Sequence, residues 1–255
     1  MKRALFVLLL AGCFVARSWS ADNKSAVPVL VELFTSEGCS SCPPADAWLL
    51  QMDTAQPVRG AELIVLSEHV DYWNHDGWKD PFSSSLVTAR QEDYVRAFRL
   101  DSAFTPQVVV NGAVNLQLSD GQRVRQTFQQ AIAASPVPVT ITSLAVDPAN
   151  PAVFHGQVEV DGSSAERSAD IYEAVALDHA ESEVLHGENG GKHLMHVAVV
   201  QQLTKIGTLE KGKKFRRAVD IRLKPGTDHK NIRVVVFAQE PGPGKVLGAA
   251  LQDPI

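Results

Sequence analysis

Apolar and polar positions in the first half of the chain follow two patterns, those of buried strands and of one-sided helices. Val27–Thr35 and Ala61–His69 are apolar runs rich in β-branched residues, which is typical of strands buried on both faces. Residues 85–98 and 120–134 instead place apolar residues on one helical face. Residues 27–134 therefore predict the order β-α-β-α-β-β-α. The remaining predicted elements are a helix beginning at residues 43–50, a strand over 104–110, and a strand over 113–118 after the Asn111-Gly112 turn.

The second half of the chain shows the pattern of strands alone. Pro136 and Pro138 mark a linker, after which short β-branched runs are separated by Gly, Pro and Asp residues. Val219, Ile221 and Leu223 alternate with charged residues, which is typical of a half-buried strand. A series of short strands predicts a β-sandwich. The six predicted strands are residues 139–146, 153–160, 169–177, 196–203, 217–223 and 232–238.

The N-terminus has the composition of a secretory signal. Lys2-Arg3 precedes an apolar run over residues 4–16, which is too short to span a bilayer as a helix. Small residues then predict cleavage after Ser20, so residues 1–20 are interpreted as a signal peptide. The protein is therefore expected to be periplasmic or secreted, with no transmembrane helix after cleavage.

Two alternatives to a cleaved signal stay open. Leu10-Ala11-Gly12-Cys13 resembles a lipoprotein box, which would leave Cys13 as a lipid-anchored N-terminus. The same apolar run is also compatible with an N-terminal helix of the folded core.

The charge balance narrows the class of partner. The whole chain has 24 Lys and Arg against 29 Asp and Glu, a net charge of −5. Cleavage of residues 1–20 removes three basic and no acidic residues, so 21 remain against 29 and the net charge becomes −8. The negative net charge argues against nucleic acid and anionic membrane surfaces as partners.

The cysteines carry the clearest chemical signal. Of the three in the chain, Cys13 lies in the predicted signal, so the mature protein keeps Cys39 and Cys42 in a C-x-x-C arrangement. In an oxidising compartment this pair is expected to form a disulfide at least part of the time. The loop that it closes is too small to remove much chain entropy. Redox chemistry therefore explains the pair better than structural stabilisation.

The position of the pair between a strand and a helix predicts a role for each cysteine. Cys39 is expected to be exposed at the mouth of the helix, where unpaired amides and the helix dipole stabilise a thiolate. Cys42 is the expected resolving thiol. Pro106 is the candidate ledge for a substrate backbone, provided that its peptide bond is cis. A nearby Glu37 carboxylate would oppose thiolate formation.

A polar segment follows the second predicted strand. The carboxyl ends of parallel strands meet at one edge of a sheet, so His69 and Asp71 are expected near the cysteines. His69 or Asp71 is then a candidate proton shuttle, and His69 with both cysteines is a candidate ligand set for Cu or Zn. The alternative is a hydrogen-bonded structural histidine with a structural aspartate.

A second group of soft ligands occurs later in the chain. His186, His193, Met195 and His196 are compatible with a copper site, whereas three neighbouring glycines favour a mobile hairpin. The chain has no phosphate-binding glycine loop, no G-x-S-x-G elbow and no HExxH motif. We assign no cofactor and no metal ligand from the sequence.

The order of elements resembles the thioredoxin superfamily. Cys39 and Cys42 are similar to its redox pair, and Thr105-Pro106 is similar to its cis-proline step. The chain departs from the superfamily at Glu37-Gly38, where thioredoxins usually carry a tryptophan before the first cysteine, and in its Ser40-Ser41 dipeptide. These departures leave the redox direction open.

A longer resemblance covers nearly the whole mature chain. It rests on four motifs: LFTSEGCSSCPPAD at residues 33–46, HVDYW at 69–73, GWKDPF at 77–82 and TPQVVVNG at 105–112. These motifs resemble those of a secreted bacterial family catalogued as domain of unknown function 1223, which implies the fold and export but no activity.

Together these patterns predict an α/β thioredoxin-like N-terminal domain over residues 27–135 plus an all-β, sandwich-like C-terminal domain over residues 139–255. The favoured function is an exported thiol–disulfide oxidoreductase that uses Cys39 and Cys42 on a protein thiol or disulfide partner in the cell envelope. Two alternatives stay open. One is a non-catalytic thioredoxin-fold binding protein of the envelope, and the other is a Cu-binding chaperone using Cys39, Cys42 and His69.

Overall fold

The computed structural model describes residues 26–252. The predicted signal peptide and Cys13 lie outside this range. Within it, the order of elements in the first half is the predicted one, and β11 is a strand that the sequence pattern did not predict. The elements are β1 (Val27–Thr35), α1 (Pro43–Ala55), β2 (Ala61–His69), α2 (Ser85–Phe98), β3 (Gln107–Val110), β4 (Val114–Leu116), α3 (Gly121–Ala133), β5 (Val139–Asp147), β6 (Asn150–Asp161), β7 (Ala169–Glu183), β8 (His193–Leu209), β9 (Lys214–Arg222), β10 (Ile232–Gln239) and β11 (Val246–Gln252).

The three helices begin where local chemistry satisfies their first turn. α1 begins with two prolines. Proline lacks a backbone N–H, but the first N–H groups of a helix have no acceptor within the helix, so prolines are tolerated there. The Ser84 side chain accepts a hydrogen bond from the Leu86 N–H at the start of α2, and Asp120 caps α3 in the same way. None of the helices in residues 26–252 has the length and apolar character needed to cross a membrane.

Strands from both halves of the chain form one eight-stranded mixed sheet, in the order β11-β10-β7-β8-β2-β1-β3-β4. β1 and β2 are parallel, with Thr35 opposite His69, and β3 runs antiparallel to β1. β8 pairs in parallel with the other edge of β2, at Ser67 and Val199. A smaller sheet contains β5, β6 and β9.

The predicted fold class, an α/β thioredoxin-like domain plus a separate all-β sandwich, is therefore wrong. Four of the seven strands of the second half extend the sheet that begins with β1 to β4. The physical reason lies at β2, whose outer edge offers backbone hydrogen-bonding groups that β8 pairs. The pattern of apolar residues predicts each strand correctly but does not reveal which strand lies beside it.

The hydrophobic core also crosses the boundary between the halves. One cluster joins Val31 and Leu49 of the first half to Ala174 and Phe237 of the second. A second cluster, which includes Phe154, lies between the large and small sheets. The first cluster contains residues from α1, β1, β7 and β10. Folding of the first half of the chain therefore buries apolar surface against the second half of the chain.

Candidate functional site

Cys39 and Cys42 are joined by a disulfide in the cysteine turn, residues 36–42, which connects β1 to α1. Their Cα atoms lie 5.4 Å apart. The predicted disulfide is confirmed, and Cys42 is the N-cap residue of α1. Ser40 and Ser41 are exposed, but Cys39 is only 1% exposed and Cys42 is fully buried. The expectation of an exposed Cys39 sulfur is therefore wrong for the oxidised chain.

The second half of the chain supplies a set of hydrogen bonds to the backbone of the cysteine turn. They come from the connection between β7 and β8, residues 184–192, which we call the hairpin cap. The Nδ2 atom of the buried Asn189 donates hydrogen bonds to the carbonyl oxygens of Glu37, at 2.8 Å, and Cys39, at 2.9 Å. Because Cys39 and Cys42 are buried, access to the disulfide requires movement of the groups packed around it, and the hairpin cap is one element bonded to the turn.

Replacing Asn189→Ala is expected to speed reduction of the disulfide by dithiothreitol about tenfold, because two buried hydrogen bonds each contribute about 0.5–1.5 kcal/mol to keeping the cap closed. The rate is measured by alkylating free thiols at timed intervals. Glu188→Gln is the matched control, since its exposed side chain accepts from the Ser40 N–H at 3.0 Å and an amide oxygen still accepts there. Thermal unfolding of both variants separates local opening from global destabilisation, and an unchanged rate in Asn189→Ala shows that the cap does not limit access.

A buried group of ionisable side chains adjoins the cysteine turn, and we call it the ionisable cluster. Each member is at most 5% exposed. The rings of two members, His69 and His196, lie 4.6 Å apart and nearly perpendicular. The members are Glu37 in the cysteine turn, Asp46 on α1, His69 at the end of β2, Asp80 between β2 and α2, and His196 on β8.

Glu37 accepts hydrogen bonds from both halves of the chain. Trp78 Nε1 donates to its Oε2 at 2.7 Å, while Oε1 lies 3.2 Å from His196 Nε2 and accepts from the Ser182 hydroxyl. Burial alone would raise the pKa of Glu37, but the hydrogen bonds from His196 and Ser182 outweigh it and the pKa is lowered. Glu37 is therefore a buried carboxylate that stays ionised at neutral pH.

His69 pairs with Asp80, and their side chains are fully buried with Nδ1 and Oδ2 at 2.8 Å. Burial alone would lower the pKa of His69, but the charge and hydrogen bond of Asp80 outweigh it and the pKa is raised. The pKa of Asp80 is lowered, because His69 and two backbone N–H donors outweigh the effect of burial. Each partner thus favours the charged form of the other.

Asp46 is the member of the cluster with the weakest partners. Burial raises its pKa, while the charges of His196 and His69 act in the opposite direction. Asp46 Oδ1 lies 4.0 Å from His196 Nδ1, beyond hydrogen-bonding distance. The Asp46 carboxyl therefore favours its protonated form more than a solvated aspartate does.

Asp71, the other predicted proton carrier, lies in a different contact. Its carboxylate accepts a hydrogen bond from the Thr88 hydroxyl of α2 at 2.7 Å. Asp80, and not Asp71, is the aspartate that lies beside His69. The spacing of Asp71 after the strand explains the prediction, but the chain turns toward α2 at that point and returns to His69 only at Asp80.

The Thr105-Pro106 peptide bond is cis. Trp73 connects this step to the cysteine turn. Its Nε1 donates to Thr105 Oγ1 at 2.8 Å, and its Cβ lies 3.0 Å from the position that a Cβ on Gly38 would occupy. Cys39, His69 and Pro106 thus belong to one end of the sheet, as the sequence predicted.

The candidate copper ligands are not grouped as a metal site among the described residues. The sulfurs of Cys39 and Cys42 are bonded to each other, His193 is exposed and bonded to Glu183, and Met195 is 56% exposed. Within residues 26–252, no group of three or more His, Cys, Asp and Glu side chains is arranged to hold a metal ion.

Three residues of the site were missed by sequence reasoning. Asp80 lies within the GWKDPF motif but was assigned no chemistry, His196 was considered only as a copper ligand, and Asn189 was not considered. The presence of Asp80 in a motif shared with a family is the sequence signal that could have identified it as a site residue. Nothing in the local sequence indicates that Asn189 or His196 contacts the cysteine turn, because both contacts span about 150 residues.

Comparisons with known proteins agree with this architecture. A protein family described as protein of unknown function (DUF1223) matches residues 30–239. The chain is similar to the solved structure of AGR_C_4864 from Agrobacterium tumefaciens, with 26% identity, a TM-score of 0.69 and coverage of 89% of this chain and 95% of that chain. It is also similar to HBP35 of Porphyromonas gingivalis, with 16% identity, a TM-score of 0.67 and coverage of 90% and 76%, a likeness that shows the fold alone. No curated protein matches the chain.

Proposed function

The chain belongs to the DUF1223 family of proteins of unknown function, and we propose that it is an exported thiol–disulfide oxidoreductase that reacts through Cys39 and Cys42. The observation that carries the proposal is the disulfide at the start of α1, which links residues only three apart. A loop this short constrains almost none of the unfolded chain, so the bond contributes little as a structural crosslink. The adjoining ionisable cluster supports the proposal, since carboxyl and imidazole groups with shifted pKa values concentrate at functional sites.

Each residue of the proposed site has a distinct role. In the reduced protein, the Cys39 thiolate attacks a sulfur of a partner disulfide, and Cys42 resolves the mixed disulfide. Pro106 forms the ledge on which the partner backbone docks. His69, oriented by Asp80, carries protons between the thiols and solvent. The partner is a protein thiol or disulfide of the cell envelope.

A Cys42→Ala variant tests this proposal. Cys39 is then able to form a mixed disulfide that no second thiol resolves, so covalent adducts with disulfide-bearing envelope proteins are expected on non-reducing gels. The adducts are expected to disappear on treatment with dithiothreitol. Cys39→Ala is the matched control and is expected to capture at least tenfold less protein. Equal capture by both variants, or none by either, contradicts the assignment of Cys39 as the attacking thiol.

One observation favours a second candidate, a non-catalytic binding protein of the envelope with an inert disulfide. Cys39 is only 1% exposed, and the hairpin cap donates a hydrogen bond to its carbonyl oxygen. If the disulfide is inert, dithiothreitol reduces it only as fast as the whole chain unfolds. Reduction by dithiothreitol that is much faster than global unfolding excludes this candidate. Comparing these two rates therefore separates the two functions.

A further inference from the structure

We propose that the Cys39–Cys42 pair donates electrons, so that its dithiol form reduces partner disulfides and its disulfide form is a weak oxidant. This inference rests on the proposed oxidoreductase function and adds the redox direction. It follows from the donors and charges around the pair. A dithiol becomes a good electron donor when its surroundings do little to stabilise the reduced form, and a strong oxidant when they stabilise it.

The first turn of α1 offers no free N–H group to a thiolate. Free amides at a helix start are the usual donors for a reactive cysteine. Here the first two helical residues are Pro43 and Pro44, which have no N–H. The next two amides, of Ala45 and Asp46, donate to the Cys42 carbonyl oxygen at 2.8 and 3.1 Å. The sequence-based expectation of unpaired amides at this helix start is therefore wrong.

Most N–H groups of the cysteine turn are also hydrogen-bonded to acceptors within the protein. The Glu37 N–H donates to Asp80, the Cys39 N–H to the Ser36 carbonyl oxygen, and the Ser40 N–H to Glu188. The Ser41 hydroxyl, 3.4 Å from Cys39 Sγ, is a neutral donor within reach. A thiolate at Cys39 would thus receive much less hydrogen bonding than one facing an open helix start.

The charges around the turn oppose a thiolate as well. The ionisable cluster contains three carboxyl groups, of which Glu37 and Asp80 have lowered pKa values and stay ionised, whereas burial raises the pKa of Asp46. Glu37 is the ionised member of the cluster closest in sequence to Cys39, which follows it by two residues. A second carboxylate, Glu188, accepts a hydrogen bond from the Ser40 N–H. The nearby cation, Lys192, bonds to Asn189 Oδ1 at 2.8 Å rather than to the cysteines. Burial strengthens the repulsion between like charges.

The proposed cycle balances atoms and electrons. The Cys39 thiolate forms a bond to one sulfur of the partner disulfide and releases the other sulfur as a thiolate. Cys42, as a thiolate, then attacks Cys39 and releases the second partner thiolate, which re-forms the Cys39–Cys42 disulfide. Two electrons pass to the partner, and the two protons lost by the cysteines end on the partner thiols. A dithiol protein upstream restores the pair by the same exchange.

The test is equilibration of the purified mature protein with glutathione and dithiothreitol redox buffers at pH 7, followed by thiol alkylation. We expect dithiothreitol to reduce the pair, and glutathione to reduce it no more readily than a thioredoxin measured in parallel. Glu37→Gln, which removes the buried charge, is expected to shift the equilibrium toward the dithiol about tenfold, equivalent to about 30 mV for a two-electron couple. Pro44→Ala, at an exposed position, restores one N–H and is expected to shift it in the same direction. Glu62→Gln, exposed at the opposite end of β2, is the control and is expected to cause no shift.

The outcomes separate this inference from the function on which it rests. A pair that glutathione reduces a hundredfold more readily than thioredoxin overturns the electron-donating direction but leaves the oxidoreductase proposal intact. The absence of any shift in both Glu37→Gln and Pro44→Ala overturns the physical basis of the inference. A disulfide that dithiothreitol reduces only when the chain unfolds overturns the proposed function itself.

Discussion

Replacing Arg90→Met is expected to lower the free energy of unfolding by about 3–5 kcal/mol, because it leaves a buried carboxylate without its cation. Arg90, on α2, is 7% exposed, and its Nε donates to Glu32 Oε1 at 2.6 Å. Its guanidinium also donates to Gln239 Oε1 at 3.2 Å and to the Tyr94 hydroxyl at 3.1 Å. Since Glu32 lies on β1 and Gln239 on β10, the substitution weakens a contact between the two halves of the chain.

Urea denaturation measures the effect, and Arg96→Met on the same helix is the matched control. Arg96 is exposed and pairs only with neighbours one helical turn away, so its loss is expected to change stability by less than about 0.5 kcal/mol. The loss in free energy of unfolding caused by Arg90→Met is also expected to grow as pH rises from 5 to 8. Burial and the neighbouring Glu32 raise the pKa of the buried Glu68, and Arg90 lowers it. Loss of the cation raises that pKa further, so the folded state holds a proton on Glu68 that the unfolded state releases, and folding is favoured at low pH. Equal effects of the two substitutions contradict the assignment of Arg90 as the central charge of this contact.

Replacing Asp80→Asn is expected to destabilise the protein by about 1.5–3 kcal/mol near pH 6, because it removes a charge-assisted hydrogen bond to the buried His69. The His69 contribution comes from a raised folded pKa, so it is fully present below the ordinary value of 6.5 and is lost as pH rises through the folded value. The Asp80 contribution comes from a lowered folded pKa, so it is present above 3.8 and is lost as pH falls through the folded value. The difference between wild type and variant is therefore expected to be largest between pH 3.8 and 6.5.

The measurement is a series of denaturation curves from pH 3 to 9. Asp71→Asn serves as the comparison, since Asp71 bonds to Thr88 and an amide oxygen accepts from the same hydroxyl. We expect its effect to be under about 1 kcal/mol and nearly independent of pH across the His69 window. Asp46 and Glu37 also favour protonated His69, so a residual pH dependence in Asp80→Asn is expected. A flat difference profile for Asp80→Asn contradicts an ionic His69–Asp80 pair.

These two experiments probe contacts that join distant parts of the chain, and the candidate site depends on the same kind of contact. Cys39 and Cys42 come from the first half, but Asn189 and His196 from the second half hold the cysteine turn and its carboxylate in place. The second half is thus part of the site rather than a separate module. A fragment ending near residue 135 would lack the hairpin cap and would expose the outer edge of β2.

The amino-acid sequence by itself determined the local features of this protein. The apolar runs Val27–Thr35 and Ala61–His69 are buried strands because their burial needs no information beyond side-chain type and spacing. The Cys39–Cys42 disulfide was predictable because two cysteines three residues apart are expected to pair in an oxidising compartment. The Asn111-Gly112 turn between β3 and β4 was equally local, since both residues adopt positive φ angles that asparagine and glycine tolerate.

Only the tertiary structure decided how these pieces combine. The pairing of β8 with β2 turned two expected domains into one sheet, and strand pairing depends on which edges meet, not on the pattern within a strand. The same packing buried Cys39 and placed His196 against Glu37, residues 159 positions apart. The charge and exposure of a site are properties of everything packed around it, so residues far away in sequence set them.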